Sequence, residues 1–146
     1  MGTAEIDPWP ANTGVVELPN GTRVRGRGLH RPIPPGPDPT FGVYLLAEPP
    51  PLTTWPATWI KWPDFRLPAD KVKAIEILPD VLALAETERV EVACKGGGGR
   101  TGTALAVLAA MSGVDRADAV DWVRSHYDPT AVETRWQRRW IERVDL

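Results

Sequence analysis

The stretch RVEVACKGGGGRTGT, residues 89–103, decides the fold of this chain. Its first part, RVEVAC (89–94), alternates in polarity as a β-strand does, and the residues that follow it, ALAVLAAM (104–111), form an apolar run of helical character. The strand ends in the only cysteine of the chain, and the residues between it and the helix include four consecutive glycines, an arginine and two threonines. A glycine-rich turn between a strand and a helix often binds phosphate, because backbone N–H groups at a helix N-terminus attract anions. The stretch therefore predicts an anion site.

Two common kinds of glycine loop fit this turn poorly. The loop that binds nucleoside triphosphates has a lysine and then a serine or threonine after its last glycine, whereas Gly102 is followed by Thr103. The dinucleotide-binding spacing G-x-G-x-x-G is satisfied by Gly97, Gly99 and Gly102. However, the acidic residue of that motif should end a second strand, and Asp115 lies between a turn and a helix. The dinucleotide interpretation is therefore the weaker one.

Counted from the cysteine, the turn has the pattern C-x5-R-T, formed by Cys94, Arg100 and Thr101. The six residues after Cys94 can turn their N–H groups inward and form a nest around a tetrahedral anion. These predicted phosphate-binding residues are Lys95, Gly96, Gly97, Gly98, Gly99 and Arg100. The Arg100 guanidinium can hold two phosphoryl oxygens, and the positive potential of the turn favours a thiolate at Cys94. This interpretation accounts for the cysteine as well as the glycines.

Two further motifs accompany this turn. WPDF (62–65) precedes Cys94 by one predicted strand and one predicted helix, and ETRWQRRW (133–140) matches the pattern Q-T-x-x-Q at Thr134 and Gln137. Over residues 59–140, the three motifs resemble those of the protein tyrosine phosphatase superfamily: C-x5-R-[ST], a mobile WPD acid loop and a glutamine loop. In size the chain is similar to a compact, bacterial-type member close to the dual-specificity branch. Residues 1–58 carry no motif that we can assign.

The resemblance implies a phosphomonoester hydrolase, in particular a cysteine-dependent protein tyrosine or dual-specificity phosphatase. Cys94 would attack phosphorus in line and form a phosphocysteine intermediate. Asp64 would protonate the departing oxygen and then accept a proton from the attacking water. Arg100 would stabilise the transition state, Thr101 would hydrogen-bond the departing sulfur, and Gln137 would position the water. Neither a metal nor any other cofactor is implied.

The sequence departs from the family pattern at two positions. Ala93 stands where the family has a histidine that orders the loop and stabilises the thiolate, and Glu133 replaces the first glutamine of Q-T-x-x-Q. Two alternatives therefore stay open: the same chemistry on a phosphoinositide, nucleotide or RNA phosphate, and a catalytically weak module that binds phosphorylated residues. The joint presence of Cys94, Arg100 and Asp64 favours the enzyme. Its expected partner is a phosphorylated protein or a small phosphomonoester.

The pattern of elements predicts an α/β fold with a central, mostly parallel sheet of about four to five strands flanked by helices. The C-x5-R loop would lie between a central strand and a helix. The predicted strands are 15–18 and 22–29, which form a hairpin, 41–48, 59–62 and 89–94. The predicted helices are 69–86, which Pro79 kinks or divides, 101–112, 116–127 and 131–144.

Composition and charge limit the remaining choices. With 146 residues, 42% of them hydrophobic, the chain fits one phosphatase-like domain over 1–146. A net charge of −2 gives no field that would attract nucleic acid or an anionic membrane. The N-terminus does not resemble a signal peptide, and a single cysteine fits a reducing compartment, so we expect a cytoplasmic protein. Arg23, Arg25 and Arg27 alternate along one strand, which favours a solvated face. The oligomeric state is not predicted.

Overall fold

The computed structural model describes residues 6–146, in which a five-stranded sheet is accompanied by four α-helices. The elements are β1 (Val15–Glu17), β2 (Arg23–Gly28), β3 (Phe41–Leu46), β4 (Ala57–Lys61), α1 (Lys71–Leu84), β5 (Val90–Cys94), α2 (Gly99–Met111), α3 (Ala119–His126) and α4 (Arg135–Arg143). A short 3₁₀ turn, Arg116–Asp118, precedes α3. The α/β fold class predicted from the sequence is confirmed, and each predicted strand has a counterpart in the sheet.

The sheet has the strand order β1-β2-β5-β3-β4. Only the β1–β2 pair, the predicted hairpin, is antiparallel, and the other neighbouring strands are parallel. The central strand β5 has β2 on one side and β3 on the other, and Cys94 at its end is opposite Gly28. Since parallel strands end at the same edge of a sheet, the turn after β5 and the WPDF segment after β4 emerge on one side of the molecule.

The helices pack through one apolar core. Val90 and Val92 of β5 belong to this core, together with Leu78 of α1, Leu105 of α2 and Ile141 of α4. Helix α2 is the most enclosed helix, because its residues from Gly99 to Ala109 are all buried. The helix that follows the cysteine is therefore held by packing along most of its length. Within residues 6–146, no helix is both long and apolar enough to cross a bilayer.

The opposite face of the sheet carries a buried polar network around Glu91 of β5, which is fully buried. Its Oε1 accepts hydrogen bonds from Nη2 of Arg25 at 2.7 Å and from Nε of Arg27 at 2.5 Å. Its Oε2 accepts one from the Tyr44 hydroxyl at 3.0 Å, and burial together with the Glu91 charge raises the pKa of Tyr44 to about 12. The Arg25 guanidinium also lies 4.3 Å from the ring of Trp9. The expectation of a solvated arginine face is therefore wrong for Arg25, which is buried because the neighbouring strand supplies the countercharge.

Two helix predictions need correction. Pro79 lies inside the single helix α1, so it does not start a second helix. Helix α4 begins at Arg135 rather than at residue 131, because Thr134 is its N-cap and Val132 has a φ of 63°. The Thr134 side chain accepts the N–H of Gln137, and the Gln137 side chain accepts the N–H of Thr134 in return. This capping box sets the start of α4.

Candidate active site

Cys94 ends β5 and opens the glycine turn. Its side chain is 2% exposed, and the N–H of Gly97 donates to its Sγ at 3.2 Å. Gly97 has a φ of +80°, and Gly98 follows with φ −97° and ψ −74°. A left-handed residue followed by a right-handed one is the backbone conformation of an anion-binding nest, in which successive N–H groups face the same side. Gly97, Gly98 and Gly99 are buried, whereas Lys95 and Gly96 lie exposed at the rim of the turn.

A close approach to β2 explains why the turn requires glycine. A Cβ on Gly97 would lie 2.5 Å from the backbone N of Gly28, and a Cβ on Gly28 would lie 2.5 Å from the O of Gly96. A backbone hydrogen bond also connects the two segments, since the N–H of Leu29 donates to the O of Cys94 at 2.8 Å. The turn therefore lies directly on the end of β2, which needs glycines on both sides of the contact.

The C-x5-R turn and the WPD segment meet at Arg100. The Arg100 side chain is 2% exposed, and its Nη1 donates to the O of Trp62 at 3.0 Å. Its Nε lies 3.6 Å from Oδ1 of Asp64, whose side chain is 56% exposed. At that distance Nε makes no hydrogen bond, and it has no other acceptor among the described residues. The structure thus brings Cys94, Arg100 and Asp64 to one edge of the sheet.

Thr101 follows Arg100 in α2 and is fully buried. Its Oγ1 has no hydrogen-bond partner within the part of the chain that the structure describes. An unpaired buried hydroxyl costs on the order of 1–3 kcal/mol, and such groups are retained chiefly where they serve a function. Thr103, two residues further along, differs because its hydroxyl donates to the O of Gly99 at 2.6 Å. The Thr101 hydroxyl is therefore free to take a partner near the turn.

Gln137 is fully buried, and both ends of its carboxamide are engaged. Its Oε1 accepts the N–H groups of Glu133 at 3.0 Å and Thr134 at 3.2 Å. Its Nε2 donates to the O of Arg66, two residues after Asp64, at 3.1 Å. In this conformation Gln137 therefore links the start of α4 to the WPD segment.

Helix α4 contacts the WPD segment through Trp136, which stands at an unspecified position of the pattern Q-T-x-x-Q. The Trp136 indole N–H donates to the O of Phe65 at 2.6 Å, and the Trp62 indole N–H donates to the O of Arg66 at 2.6 Å. Phe65 has a φ of 60°, and its N–H donates to Oδ1 of Asp64 at 3.0 Å. A left-handed phenylalanine is uncommon and is kept only where contacts hold it. These contacts therefore place Asp64, and only the tertiary structure shows that Trp136 contributes.

Glu133 lies directly on the glycine turn. Its Oε1 accepts the N–H of Gly99 at 2.7 Å. This N–H is one of the six backbone donors predicted to bind phosphate, and it lies at the first turn of α2. A carboxylate is favoured there by the same helix-end potential that favours a phosphate. The replacement of glutamine by Glu133 therefore puts a negative charge beside the predicted anion position.

A family comparison agrees with this geometry. The family model described as protein-tyrosine phosphatase matches residues 41–140, from β3 to α4. This match covers more than half of the chain and includes the WPD segment, the C-x5-R turn and the start of α4. The chain belongs to the protein-tyrosine phosphatase family. The resemblance inferred from the three motifs is thereby confirmed.

Relatives of this phosphatase-family chain are found among both sequences and structures. It is 32% identical over 88 residues to the uncharacterized protein MJ0215 of Methanocaldococcus jannaschii, a match that covers 59% of this chain and 53% of the relative. The chain thus spans about half the length of the curated relatives it matches. The crystal structure of Tk-PTP in the active form superposes with a TM-score of 0.67 at 22% identity, covering 89% of this chain and 97% of that one. DUSP15 superposes with a TM-score of 0.58 at 18% identity, covering 70% and 67%. These structures share the fold.

Proposed function

We propose that the protein is a cysteine-dependent protein tyrosine or dual-specificity phosphatase that hydrolyses phosphomonoesters through a phosphocysteine intermediate. The observation that supports this most is that Arg100, at the end of the glycine turn that begins at Cys94, donates to the O of Trp62 and lies 3.6 Å from Asp64. These groups come from two segments 30 residues apart (94 − 64). A nucleophile, an anion clamp and a proton donor at one sheet edge are the parts that phosphoryl transfer needs.

The reaction would proceed in two displacements. In the first, the Cys94 sulfur forms a bond to phosphorus, the bond to the leaving oxygen breaks, and Asp64 gives that oxygen its proton. In the second, a water oxygen bonds to phosphorus, the P–S bond breaks, and the Asp64 carboxylate takes a proton from the water. Inorganic phosphate is released, and the Cys94 thiolate and the protonated Asp64 are regenerated. Arg100 and the loop N–H groups would stabilise the charge on the equatorial oxygens in both steps.

Thr101 and Gln137 would support the second displacement. We propose that the Thr101 hydroxyl, which has no hydrogen-bond partner among residues 6–146, donates to the Cys94 sulfur as it leaves, since a thiolate needs a donor at that moment. For Gln137 we keep the proposed role of positioning the water. Because its Nε2 is bonded to the O of Arg66, Gln137 has to exchange that contact to reach a water molecule. The role therefore requires movement of the WPD segment or of this side chain.

The direct test is turnover of an aryl phosphate in the presence of a chelator. We expect phosphate release that saturates with substrate, does not need a divalent metal, and is competed by orthovanadate. Phosphotyrosine peptides, a phosphoinositide, a nucleotide and a phosphorylated RNA should be compared in the same assay. Oxyanion binding without turnover of any of them would support the binding-module alternative. Dinucleotide binding that orthovanadate does not displace would contradict the phosphatase proposal. A cytoplasmic location stays a prediction from the sequence.

We expect Glu133→Gln to strengthen oxyanion binding. The carboxylate accepts the Gly99 N–H and repels an incoming phosphate, and the two charges would interact by on the order of 1 kcal/mol. The expected gain in orthovanadate affinity is therefore roughly five-fold, measured as an inhibition constant at neutral pH. Glu142→Gln is the matched control, because it removes the same charge from an exposed position of α4. An unchanged or weaker affinity in Glu133→Gln would show that the carboxylate does not compete with the anion.

A further inference from the structure

Tyr127, which belongs to none of the sequence motifs, contacts the glycine turn through its hydroxyl. It directly follows α3, and its hydroxyl donates to the O of Gly97 at 2.5 Å. Its ring lies against β2, where a Cβ on Gly26 would come within 2.6 Å of the ring atom Cε1. Gly26 is therefore the position at which β2 leaves room for this ring. The Tyr127 ring and the glycine turn therefore both pack against the end of β2.

The hydroxyl determines which way one peptide group of the turn faces. In a trans peptide, the C=O of one residue and the N–H of the next point in opposite directions, and the described residues contain no cis peptide. With the Gly97 C=O directed at Tyr127, the Gly98 N–H must face away from Tyr127. On either side of it, the Gly97 N–H donates to the Cys94 Sγ and the Gly99 N–H donates to Glu133. The Gly98 N–H itself donates to no backbone acceptor among the described residues.

The peptide between Gly97 and Gly98 is free to rotate unless a hydrogen bond fixes its orientation. It joins two glycines, which lack the Cβ that restricts rotation in other residues. If it were reversed, the Gly97 carbonyl would face the nest and its partial negative charge would repel an anion instead of attracting one. The Tyr127 hydroxyl is a dependable donor, because burial of the ring, and then the nearby Cys94 and Asp128, raise the pKa of Tyr127 above its ordinary value of 10.

We propose that Tyr127 is a positioning residue of the phosphate-binding turn, whose hydroxyl holds the Gly97–Gly98 peptide so that the Gly98 N–H faces the bound anion. The kinetic consequence rests on the proposed phosphatase function, whereas the consequence for oxyanion binding does not. Tyr127 would not touch the substrate. It would act through the orientation of one backbone donor.

The test is Tyr127→Phe, which keeps the ring over Gly26 and removes only the hydroxyl. We expect orthovanadate affinity, measured by calorimetry, to fall about ten-fold, as for the loss of one hydrogen bond to a charged group. With an aryl phosphate we expect kcat/KM to fall at least ten-fold, since removing a complete oxyanion donor costs roughly 10²–10³. The loss should be equal for acidic and ordinary phenols, because the Gly98 N–H acts on equatorial oxygens and not on the leaving group.

Tyr44→Phe is the matched control. It also removes a buried tyrosine hydroxyl, but one that bonds Glu91 on the opposite face of the sheet. We expect Tyr44→Phe to keep wild-type oxyanion affinity, with the Tm of both variants measured alongside. Wild-type affinity in Tyr127→Phe, or an equal loss in Tyr44→Phe, would overturn the proposal. If the wild-type protein hydrolyses no phosphomonoester but Tyr127→Phe still weakens orthovanadate binding, the phosphatase function fails and the positioning role stands.

A second measurement can be made on the wild-type protein alone. The amide resonance of Gly98 in the wild-type protein should shift downfield when inorganic phosphate is added, because its N–H gains an anionic acceptor. The same titration of Tyr127→Phe should give a smaller shift at saturation. A Gly98 resonance that does not move while phosphate saturates the wild-type protein would overturn the proposal, whether or not the variant folds.

Discussion

Cys94→Ser should abolish turnover while leaving oxyanion binding nearly intact. A serine hydroxyl stays protonated at neutral pH and is a poor nucleophile without an adjacent base, so the expected loss in kcat is on the order of 10⁴–10⁶. The anion would still meet the backbone N–H groups of the turn and the Arg100 guanidinium, none of which the substitution removes. The measurements are phosphate release from an aryl phosphate and orthovanadate affinity by calorimetry.

The outcome for Cys94 has an independent check in the wild-type protein. Since the chain contains one cysteine, a thiol alkylating agent can modify only that residue. Inactivation should follow the incorporation of one equivalent, and orthovanadate should protect against it. Turnover of Cys94→Ser at the wild-type rate would show that the sulfur is not the nucleophile. A loss of orthovanadate binding in the same variant would instead contradict the backbone nest.

The second large effect is expected for Asp64→Ala, and it should depend on the leaving group. A phenolate with a pKa near 10, as from phosphotyrosine, needs a proton as it departs, and removing a positioned acid costs roughly 10²–10⁴ in rate. The loss in kcat should therefore be large on a phosphotyrosine peptide and much smaller on the phosphate of an acidic phenol. KM should change by no more than a few-fold, because Asp64 is 56% exposed and, in the proposed mechanism, Arg100 and the loop N–H groups rather than Asp64 bind the anion.

Asp70→Ala is the control for this experiment. Asp70 is the nearest other carboxylate in sequence, but its Oδ1 caps α1 by accepting the N–H of Lys73 at 3.0 Å. Losing a cap costs about 1 kcal/mol, so the variant should have a lower Tm and an unchanged dependence on the leaving group. An equal loss on both substrates in Asp64→Ala would exclude Asp64 as the acid. Asp70 would then be the next candidate.

The strands, the helices and the positions of Cys94, Arg100 and Asp64 could be predicted from the sequence because each depends on a local pattern. RVEVAC alternates as one strand, four glycines allow one tight turn, and ALAVLAAM continues as one buried helix. Once two segments are assigned to parallel strands, their ends must meet at one edge of the sheet. That rule brings the WPD segment to the cysteine turn without knowledge of any single contact.

Contacts between distant segments could not be predicted in the same way. The three alternating arginines of β2 indicated a solvated face, yet Arg25 is buried because strand order puts Glu91 of β5 beside it. Helix α4 begins at Arg135, and not at residue 131, because Thr134 and Gln137 cap each other. Pro79 lies within one continuous α1, although the sequence allowed a break there.

The sequence by itself determined the α/β fold class and the family motifs, since both depend on patterns within short runs of residues. Only the tertiary structure decided that Tyr127 donates to the Gly97 carbonyl, that Trp136 donates to the O of Phe65, and that Glu133 accepts the Gly99 N–H. None of these three contacts has a local signal, because each donor and acceptor lie at least 30 residues apart. Their pairing depends on strand order, register and the packing of helices, which no single stretch of the chain encodes.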